Sequence, residues 1–254
     1  MPSRLVLVAD LPWYDHPRSA AALDAFWAVA RDALRAAGVR EAPDALARPH
    51  SSQVLWTTPD LLLGQCCGPD LATEAGRALE VLARPVFPEL AVGAGDYFSL
   101  VVGRLPLNRP PRLVINAVSS RSGCGALLEW LADRGLTAGP VTVSGSHAAS
   151  LEAVRRGDAD LAAIDAHAWN WLATAGLPVL GRSRAAPSPP WVVHRDCPVP
   201  RALLREVLQR AVECRGAAIG IGGVVPADRY TYLGDRPDDR LDAPLDTTNA
   251  RETP

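Results

Sequence analysis

Two polar segments of this sequence carry side chains that could hold a small anion. Residues 119–123 read SSRSG and residues 144–147 read SGSH, and each segment directly precedes a predicted helix. The backbone N–H groups at a helix start carry partial positive charge, and hydroxyls and imidazole add further donors. The candidate anion ligands from these two segments are Ser119, Ser122, Gly123, Ser146 and His147.

An ordinary structural role is open for the same residues. A serine before a helix commonly caps it, so Ser119, Ser120 or Ser122 could cap the first helix and Ser146 the second. A lone histidine is more often a surface or core residue than a ligand. The two segments therefore become a stronger prediction together than either is alone.

Three further candidates follow predicted strands. Ligands of open parallel sheets bind beyond the carboxyl ends of the strands. Asp165 follows the strand predicted at residues 161–164, where it could accept a hydrogen bond from a ligand or cap the next helix. Gln65 directly follows the strand predicted at residues 61–64. Tyr14 follows the first predicted strand and offers both an aromatic face and a polar hydroxyl.

Other kinds of site lack the necessary residues. The five histidines show no metal-ligand spacing with the five cysteines, and without lysine the chain cannot form a phosphate-binding P-loop. Residues 220–223 read GIGG but do not open a helix after a strand, as a dinucleotide site would require. Nothing near Cys66 or Cys67 would lower a thiol pKa. We predict no metal, no cofactor and no catalytic residue.

Periodicity predicts the elements that position these candidates. Helical spacing covers residues 19–37, which end at Gly38, and residues 200–214. A helix is also predicted at 71–81, and strands at 4–9, 61–64, 98–102 and 191–194. From residue 113, strands at 113–116, 141–143 and 161–164 alternate with helices at 123–134, 147–156 and 165–173. Such alternation is typical of βαβ units and a parallel sheet.

This organisation predicts an α/β protein of two lobes with a ligand cleft between them. Residues 1–103 and 188–254 would form the first lobe, and residues 104–187 the second. The chain would cross between lobes near residues 103–111 and 185–190. Two crossings allow hinge closure of rigid lobes around a ligand.

Composition excludes several classes of partner. The 254 residues are 48% hydrophobic and 21% charged, with a net charge of −2. This charge balance does not indicate binding to nucleic acid or to an acidic membrane surface. The first apolar run is too short for a secretory signal or a membrane span, and five cysteines do not suggest a disulfide framework. We expect a cytoplasmic protein without membrane insertion, or a periplasmic one if a leader was removed.

Residues 145–165, GSHAASLEAVRRGDADLAAID, resemble the PhnD-like phosphate/phosphite/phosphonate substrate-binding proteins of ABC transporters. The Ser-Arg-Ser-Gly run ending at Gly123, residues 59–68 and Tyr14 with Asp15 extend the resemblance. It implies a type 2 periplasmic-binding fold whose ligand is held by serines at one helix N-terminus and a histidine on the next. The positions selected are Ser119, Ser122, His147 and Asp165, with Tyr14 from the first lobe. Arg121 and Cys124 depart from the family's serine loop.

The leading hypothesis is a solute-binding protein that closes over a small oxyanion, phosphate-like or phosphonate-like. It would serve ABC-type uptake, with an ABC permease as a candidate partner, or intracellular sensing. The alternative is a cytoplasmic enzyme on the same fold, with His147 as acid or base and a cysteine as nucleophile. A third hypothesis, a regulatory domain that binds a protein partner, lacks any helix-turn-helix or coiled-coil pattern.

Overall fold

Two separate five-stranded sheets organise the chain, one in each of two units. The computed structural model describes residues 6–104, 110–174 and 176–232. The first unit contains residues 6–96 and 187–232, and the second contains the described residues of 97–186.

The strands are β1 (Val8–Ala9), β2 (Leu61–Gln65), β3 (Leu79–Val86), β4 (Asp96–Tyr97), β5 (Ser99–Gly103), β6 (Leu113–Ile115), β7 (Val141–Val143), β8 (Leu161–Asp165), β9 (Val179–Arg182), β10 (Ala186–Pro187), β11 (Trp191–His194) and β12 (Gly223–Val225). The α-helices are α1 (Ala20–Ala36), α2 (Gln53–Trp56), α3 (Ala126–Ala132), α4 (His147–Arg156) and α5 (Arg201–Arg215).

The first unit is built on a sheet of order β1-β2-β11-β3-β12. Strands β1 and β2 run parallel, whereas β11 is antiparallel to both of its neighbours and β12 is antiparallel to β3. Helix α1 packs against α5, and its apolar residues recur at helical spacing. The buried face of α1 consists of Leu23, Phe26, Trp27, Ala30 and Leu34.

The second unit has the order β7-β6-β8-β5-β9, in which β7, β6 and β8 are parallel and β5 is antiparallel to β8 and β9. Successive strand residues point to opposite faces of the sheet. Accordingly Leu113 and Ile115 pack with the buried face of α3, whereas Val114 packs with Leu151 and Val154 of α4. The two helices therefore cover opposite faces of one sheet, as βαβ units require.

The boundary between the units differs from the prediction. Strand β5 was assigned to the first lobe, but it hydrogen-bonds to β8 and β9 and so belongs to the second unit's sheet. The chain passes between units at 96/97 and at 186/187, within β4 and β10, which pair with each other. The expected crossing at residues 103–111 instead joins β5 to β6 within the second unit. Residues 105–109 of that segment, and the predicted lobe residues 1–5 and 233–254, lie outside the described residues.

Two predicted helices are wrong. Residues 71–81 form 3₁₀ turns at Pro69–Ala72 and Ala75–Ala78 and then enter β3. A Cβ on Gly76 would lie 1.9 Å from the backbone oxygen of Asp70, so the chain approaches itself too closely there for a continuous helix. Residues 165–173 end β8 and form only a 3₁₀ turn at Ala168–Trp171. Strands β3, β4, β9, β10 and β12 were not predicted.

Among the described residues, none of the helices has the length and apolar content needed to cross a bilayer.

Candidate functional site

The predicted anion ligands of the second unit gather at one edge of its sheet. Parallel strands β7, β6 and β8 lie side by side, so their carboxyl ends meet at the same edge. Residues 116–125 follow β6, Ser146 and His147 follow β7, and Asp165 ends β8. Sequence positions up to 46 residues apart thus reach the edge where ligands of such sheets bind.

The serine-rich segment after β6 forms a π-helical turn, Arg121–Gly125, that leads into α3. Ser120 is the cap: its Oγ accepts the Gly123 N–H at 2.9 Å, and its carbonyl accepts the N–H groups of Cys124 and Gly125 at 3.0 Å. Capping therefore falls to Ser120. Ser122 lies within the π-helical turn itself. Ser119 lies partly exposed in the turn before the cap.

Ser122 and His147 meet directly although 25 residues separate them. The Oγ of Ser122 lies 3.0 Å from Nε2 of His147, the first residue of α4. Ser122 is 6% exposed, so the contact is shielded from bulk water on the serine side. Either group can donate in this pair, depending on the imidazole tautomer. The contact joins the start of the turn before α3 to the start of α4.

Burial lowers the pKa of His147 below its ordinary value of 6.5, which favours the neutral ring at pH 7. The negative charge of Asp165 and a backbone interaction with Ala163 act in the opposite direction. An anion beside the ring would add to these opposing effects. The protonation of His147 is therefore expected to respond to ligand binding.

Ser146 and Asp165 both cap the segments that follow them. Ser146 Oγ accepts the Ala149 N–H at 3.1 Å and so begins α4. Oδ1 of Asp165 accepts the N–H groups of His167 at 2.8 Å and Ala168 at 3.0 Å. These are the structural roles that the sequence left open for the two residues. Asp165 still acts on His147 through its charge.

Gly123 is needed for a close approach. A Cβ at this position would lie 1.7 Å from Oδ1 of Asn116, the residue that directly follows β6. That Oδ1 is buried, and no hydrogen-bond partner for it is found within residues 6–104, 110–174 and 176–232. Sequence reasoning did not select Asn116, although a polar residue at a strand end is the signal that selected Asp165.

A buried ion pair adjoins the serines. Arg121 Nη2 lies 2.7 Å from Oε2 of Glu129, and the side chains are 7% and 9% exposed. Glu129 is in α3, eight residues further along the chain. Sequence reasoning noted Arg121 only as a departure from the family's loop, because a partner eight residues away across a π-helical turn leaves no signal in helical spacing.

The two candidates of the first unit are both buried. Gln65, at the end of β2, is 1% exposed, and its Oε1 accepts the Trp13 N–H at 3.3 Å. The Trp13 indole N–H donates to the Cys66 carbonyl at 3.0 Å. Tyr14 is 3% exposed and packs edge-on against Phe87, with ring centroids 5.6 Å apart. The structure thus gives Gln65 and Tyr14 packing roles within this unit.

The cysteines are free thiols, and Cys66, Cys67, Cys124 and Cys197 are buried. Burial raises the pKa of Cys66 well above its ordinary value, which disfavours the nucleophilic thiolate. In the part of the chain that the structure describes, no three histidine, cysteine or acidic residues are placed to bind a metal ion.

Comparison with known proteins gives a family and a fold. Residues 110–232 match the family model described as ABC transporter, phosphonate, periplasmic substrate-binding protein. This segment holds every candidate of the second unit. No curated protein matches the sequence.

Solved structures resemble the whole chain. A Xanthomonas citri protein bound to ATP matches with a TM-score of 0.65 and 16% identity, over 93% of this chain and 95% of its own. A binding protein component of a Pseudomonas aeruginosa ABC phosphonate transporter matches with a TM-score of 0.65 and 15% identity, over 91% and 84%. PhnD1 from Prochlorococcus marinus, in complex with methylphosphonate, matches with a TM-score of 0.62 and 16% identity, over 91% and 96%.

The structural matches confirm the predicted type 2 periplasmic-binding fold, and the family match confirms the PhnD-like resemblance. The family consists of transporter binding proteins, which decides against the enzyme alternative. Residues 110–232 therefore match the periplasmic substrate-binding proteins of phosphonate ABC transporters, and the chain shares the fold of the solved binding proteins.

Proposed function

We propose that this protein binds a small phosphorus oxyanion, such as a phosphonate, phosphite or phosphate, through Ser122 and His147. The observation that carries the proposal is the 3.0 Å contact between Ser122 Oγ and His147 Nε2 at the sheet edge. The two groups are within hydrogen-bond distance of each other. An oxyanion that enters between them receives a hydrogen bond from both.

The strength of this arrangement is sufficient for a transport protein. Hydrogen bonds to a charged ligand contribute about 1.5–3 kcal/mol each before desolvation losses. The N-terminus of α4 adds up to about 2 kcal/mol when partly buried. Micromolar affinity corresponds to about −8 kcal/mol, so two such donors and one helix terminus reach that range together with further contacts.

The ligand class rests on the comparisons. One structural relative is bound to methylphosphonate and another to ATP, and both ligands carry oxygens bonded to phosphorus. The family is that of phosphonate transporters. We therefore favour a phosphorus oxyanion over a sulfonate or a carboxylate.

The remaining candidates complete the proposed site. In the second unit we include Ser119, Gly123, Ser146 and Asp165, the last acting through its charge on His147. In the first unit we include Gln65 and Tyr14, whose burial also supports that unit's packing. Their contribution to binding is a proposal that substitution of each will test.

We further propose that the bound ligand is delivered to an ABC permease outside the cytoplasmic membrane. The support is the family's description as periplasmic substrate-binding proteins. Intracellular sensing is the competing role. Fractionation of the native host, followed by detection of the protein in the periplasmic or the cytoplasmic fraction, separates the two.

The test of ligand binding is isothermal titration calorimetry with methylphosphonate, phosphite, phosphate and methanesulfonate. We expect micromolar binding of at least one phosphorus ligand. Ser122→Ala and His147→Ala should each weaken it by about ten-fold or more, which corresponds to the loss of one charge-assisted hydrogen bond. At one hundred times its Kd, the ligand should stabilise the parent protein by about 2.7 kcal/mol.

The matched controls are His50→Ala and Ser51→Ala, an exposed histidine and serine in the first unit. Both should bind the ligand as the parent protein does. Parental affinity in both Ser122→Ala and His147→Ala would refute the site, and absence of binding to all phosphorus ligands would refute the ligand class.

A further inference from the structure

We infer that the buried Arg121–Glu129 ion pair positions Ser122 for ligand binding. This inference rests on the proposed function, because it assigns Arg121 and Glu129 a role through Ser122 rather than through contact with the ligand. The pair is 2.7 Å long and is more than nine-tenths buried on both sides.

The geometry of the turn explains why a positioning device would act there. Arg121 and Ser122 are consecutive in the π-helical turn Arg121–Gly125, so a fixed Arg121 restricts where Ser122 can point. On the other side of Ser122, Gly123 is held by the Ser120 hydroxyl at 2.9 Å. The residue before Ser122 is therefore held by an ion pair, and the residue after it is held by a hydrogen bond.

The anchor for Arg121 lies in a regular element. Glu129 belongs to α3, whose apolar residues Leu127, Leu128 and Leu131 are packed in the core of the second unit. The ion pair thus ties an irregular turn to a firmly packed helix. π-Helical segments are rare, and single π-helical turns are frequently found at functional sites.

Stability alone is a weak explanation for the pair. Desolvation of two buried charges largely cancels their attraction, so replacement by apolar residues of similar size is often neutral for stability. Loss of one partner is different, because the other charge is left buried. An apolar double substitution can therefore separate the effect on stability from the effect on the orientation of Ser122.

The chain provides a matched control on the same helix. Asp133 of the α3 C-cap is paired with Arg184, and both belong to the second unit. This second pair is exposed, with Arg184 68% accessible and Asp133 35%. Exposed ion pairs contribute little to the stability of a protein. Arg184 hydrogen-bonds to Asp133 and also acts on Glu129 and Arg121 through its charge. Its substitution therefore removes a nearby charge but leaves the Arg121–Glu129 hydrogen bond in place.

The first experiment compares methylphosphonate affinity and thermal midpoint in four variants. We expect Arg121→Met combined with Glu129→Leu to keep the parental midpoint within a few degrees but to bind at least ten-fold more weakly. Arg121→Lys, which retains one hydrogen bond to Glu129, should recover most of the affinity. Arg121→Met alone should lose both affinity and stability. Arg184→Met should bind as the parent protein does.

The second experiment needs no ligand and measures amide hydrogen exchange in the parent and in the double variant. The Gly123 N–H, bonded to Ser120 Oγ, should exchange at least ten-fold faster in the variant. The Ala149 N–H, bonded to Ser146 Oγ in α4, should be unchanged.

The two readouts distinguish failure of this inference from failure of the proposed function. A parent protein that binds no phosphorus oxyanion overturns the function, and exchange at Gly123 then still decides whether the ion pair holds the turn. Parental affinity, or unchanged Gly123 exchange, in the double variant overturns the inference.

Discussion

His147 combines burial, a nearby charge and a proposed role in ligand binding in a single side chain. Its pKa is lowered by burial, although the Asp165 charge partly offsets the shift. Its Nε2 lies 3.0 Å from Ser122 Oγ. A bound anion would favour the protonated ring, because opposite charges attract strongly where water is excluded. Binding and protonation of His147 are therefore coupled.

Ligand binding and proton uptake at His147 are expected to favour each other. Between the lowered pKa of the free site and the higher pKa of the complex, ligand binding takes up a proton at His147. Affinity should rise as pH falls through that window and level off below the free-site pKa. Calorimetry in two buffers of different ionisation enthalpy measures the proton uptake directly. We expect the parent protein to take up more protons than His147→Gln at pH 6.

The ligand's own titration is the same in both proteins, so it cancels in this comparison. Equal proton uptake by the parent protein and by His147→Gln would show that the imidazole does not change its charge on binding.

Individual candidate residues could be predicted only where a local sequence pattern marks them. Ser122 and His147 lie in polar segments at the starts of helices, and that pattern was sufficient to select them. Their mutual contact was not predictable from the spacing, since it depends on β7 and β6 pairing in register. Asn116 and the Arg121–Glu129 pair went unrecognised because their significance lies in three-dimensional proximity rather than in sequence pattern.

At the scale of elements, the turn before α3 depends on a glycine. Gly123→Ala would place a Cβ 1.7 Å from Asn116 Oδ1, and the side-chain amide must move to make room. Overpacking of this kind costs about 1–3 kcal/mol. We expect the thermal midpoint to fall by about 3–10 °C in Gly123→Ala, measured by circular dichroism.

Asn116→Ala in the same chain should relieve the collision, so the double variant should be less destabilised than the sum of the single variants. Gly223→Ala in β12 is the matched control, because its added Cβ would meet Val86 at an ordinary 3.4 Å. Strictly additive effects of Gly123→Ala and Asn116→Ala would contradict the predicted contact.

Elements with a strong period were predicted well, and those without one were not. Helices α1, α4 and α5 lie within one or two residues of their predicted bounds, because each has an apolar face and a defined start or end. The 71–81 segment has apolar residues at helical spacing too. There the pairing of residues 79–81 with β11, a tertiary constraint, overrides the local pattern.

At the scale of the whole molecule, the reactivity of the cysteine thiols measures how well each unit protects its interior from solvent. Cys66, Cys67 and Cys197 are buried in the first unit and Cys124 in the second, whereas Cys214 is exposed. Titration of the native protein with a thiol reagent should therefore find one fast group and four protected ones. Unfolded protein should show five. Only three reactive thiols after unfolding without reductant would indicate a disulfide and contradict the structure.

The strand order of the first unit has a consequence for biosynthesis. Its central strand, β11 (Trp191–His194), lies between β2 and β3 but is made more than one hundred residues after them. The described strands β2 and β3 thus lack their shared neighbour until the ribosome has translated the entire second unit. The described residues of the second unit, by contrast, all lie within 97–186, and their five-stranded sheet contains no strand made later. The nascent chain is therefore expected to complete the sheet of the second unit first, and β2 and β3 gain their shared neighbour only when β11 has been made.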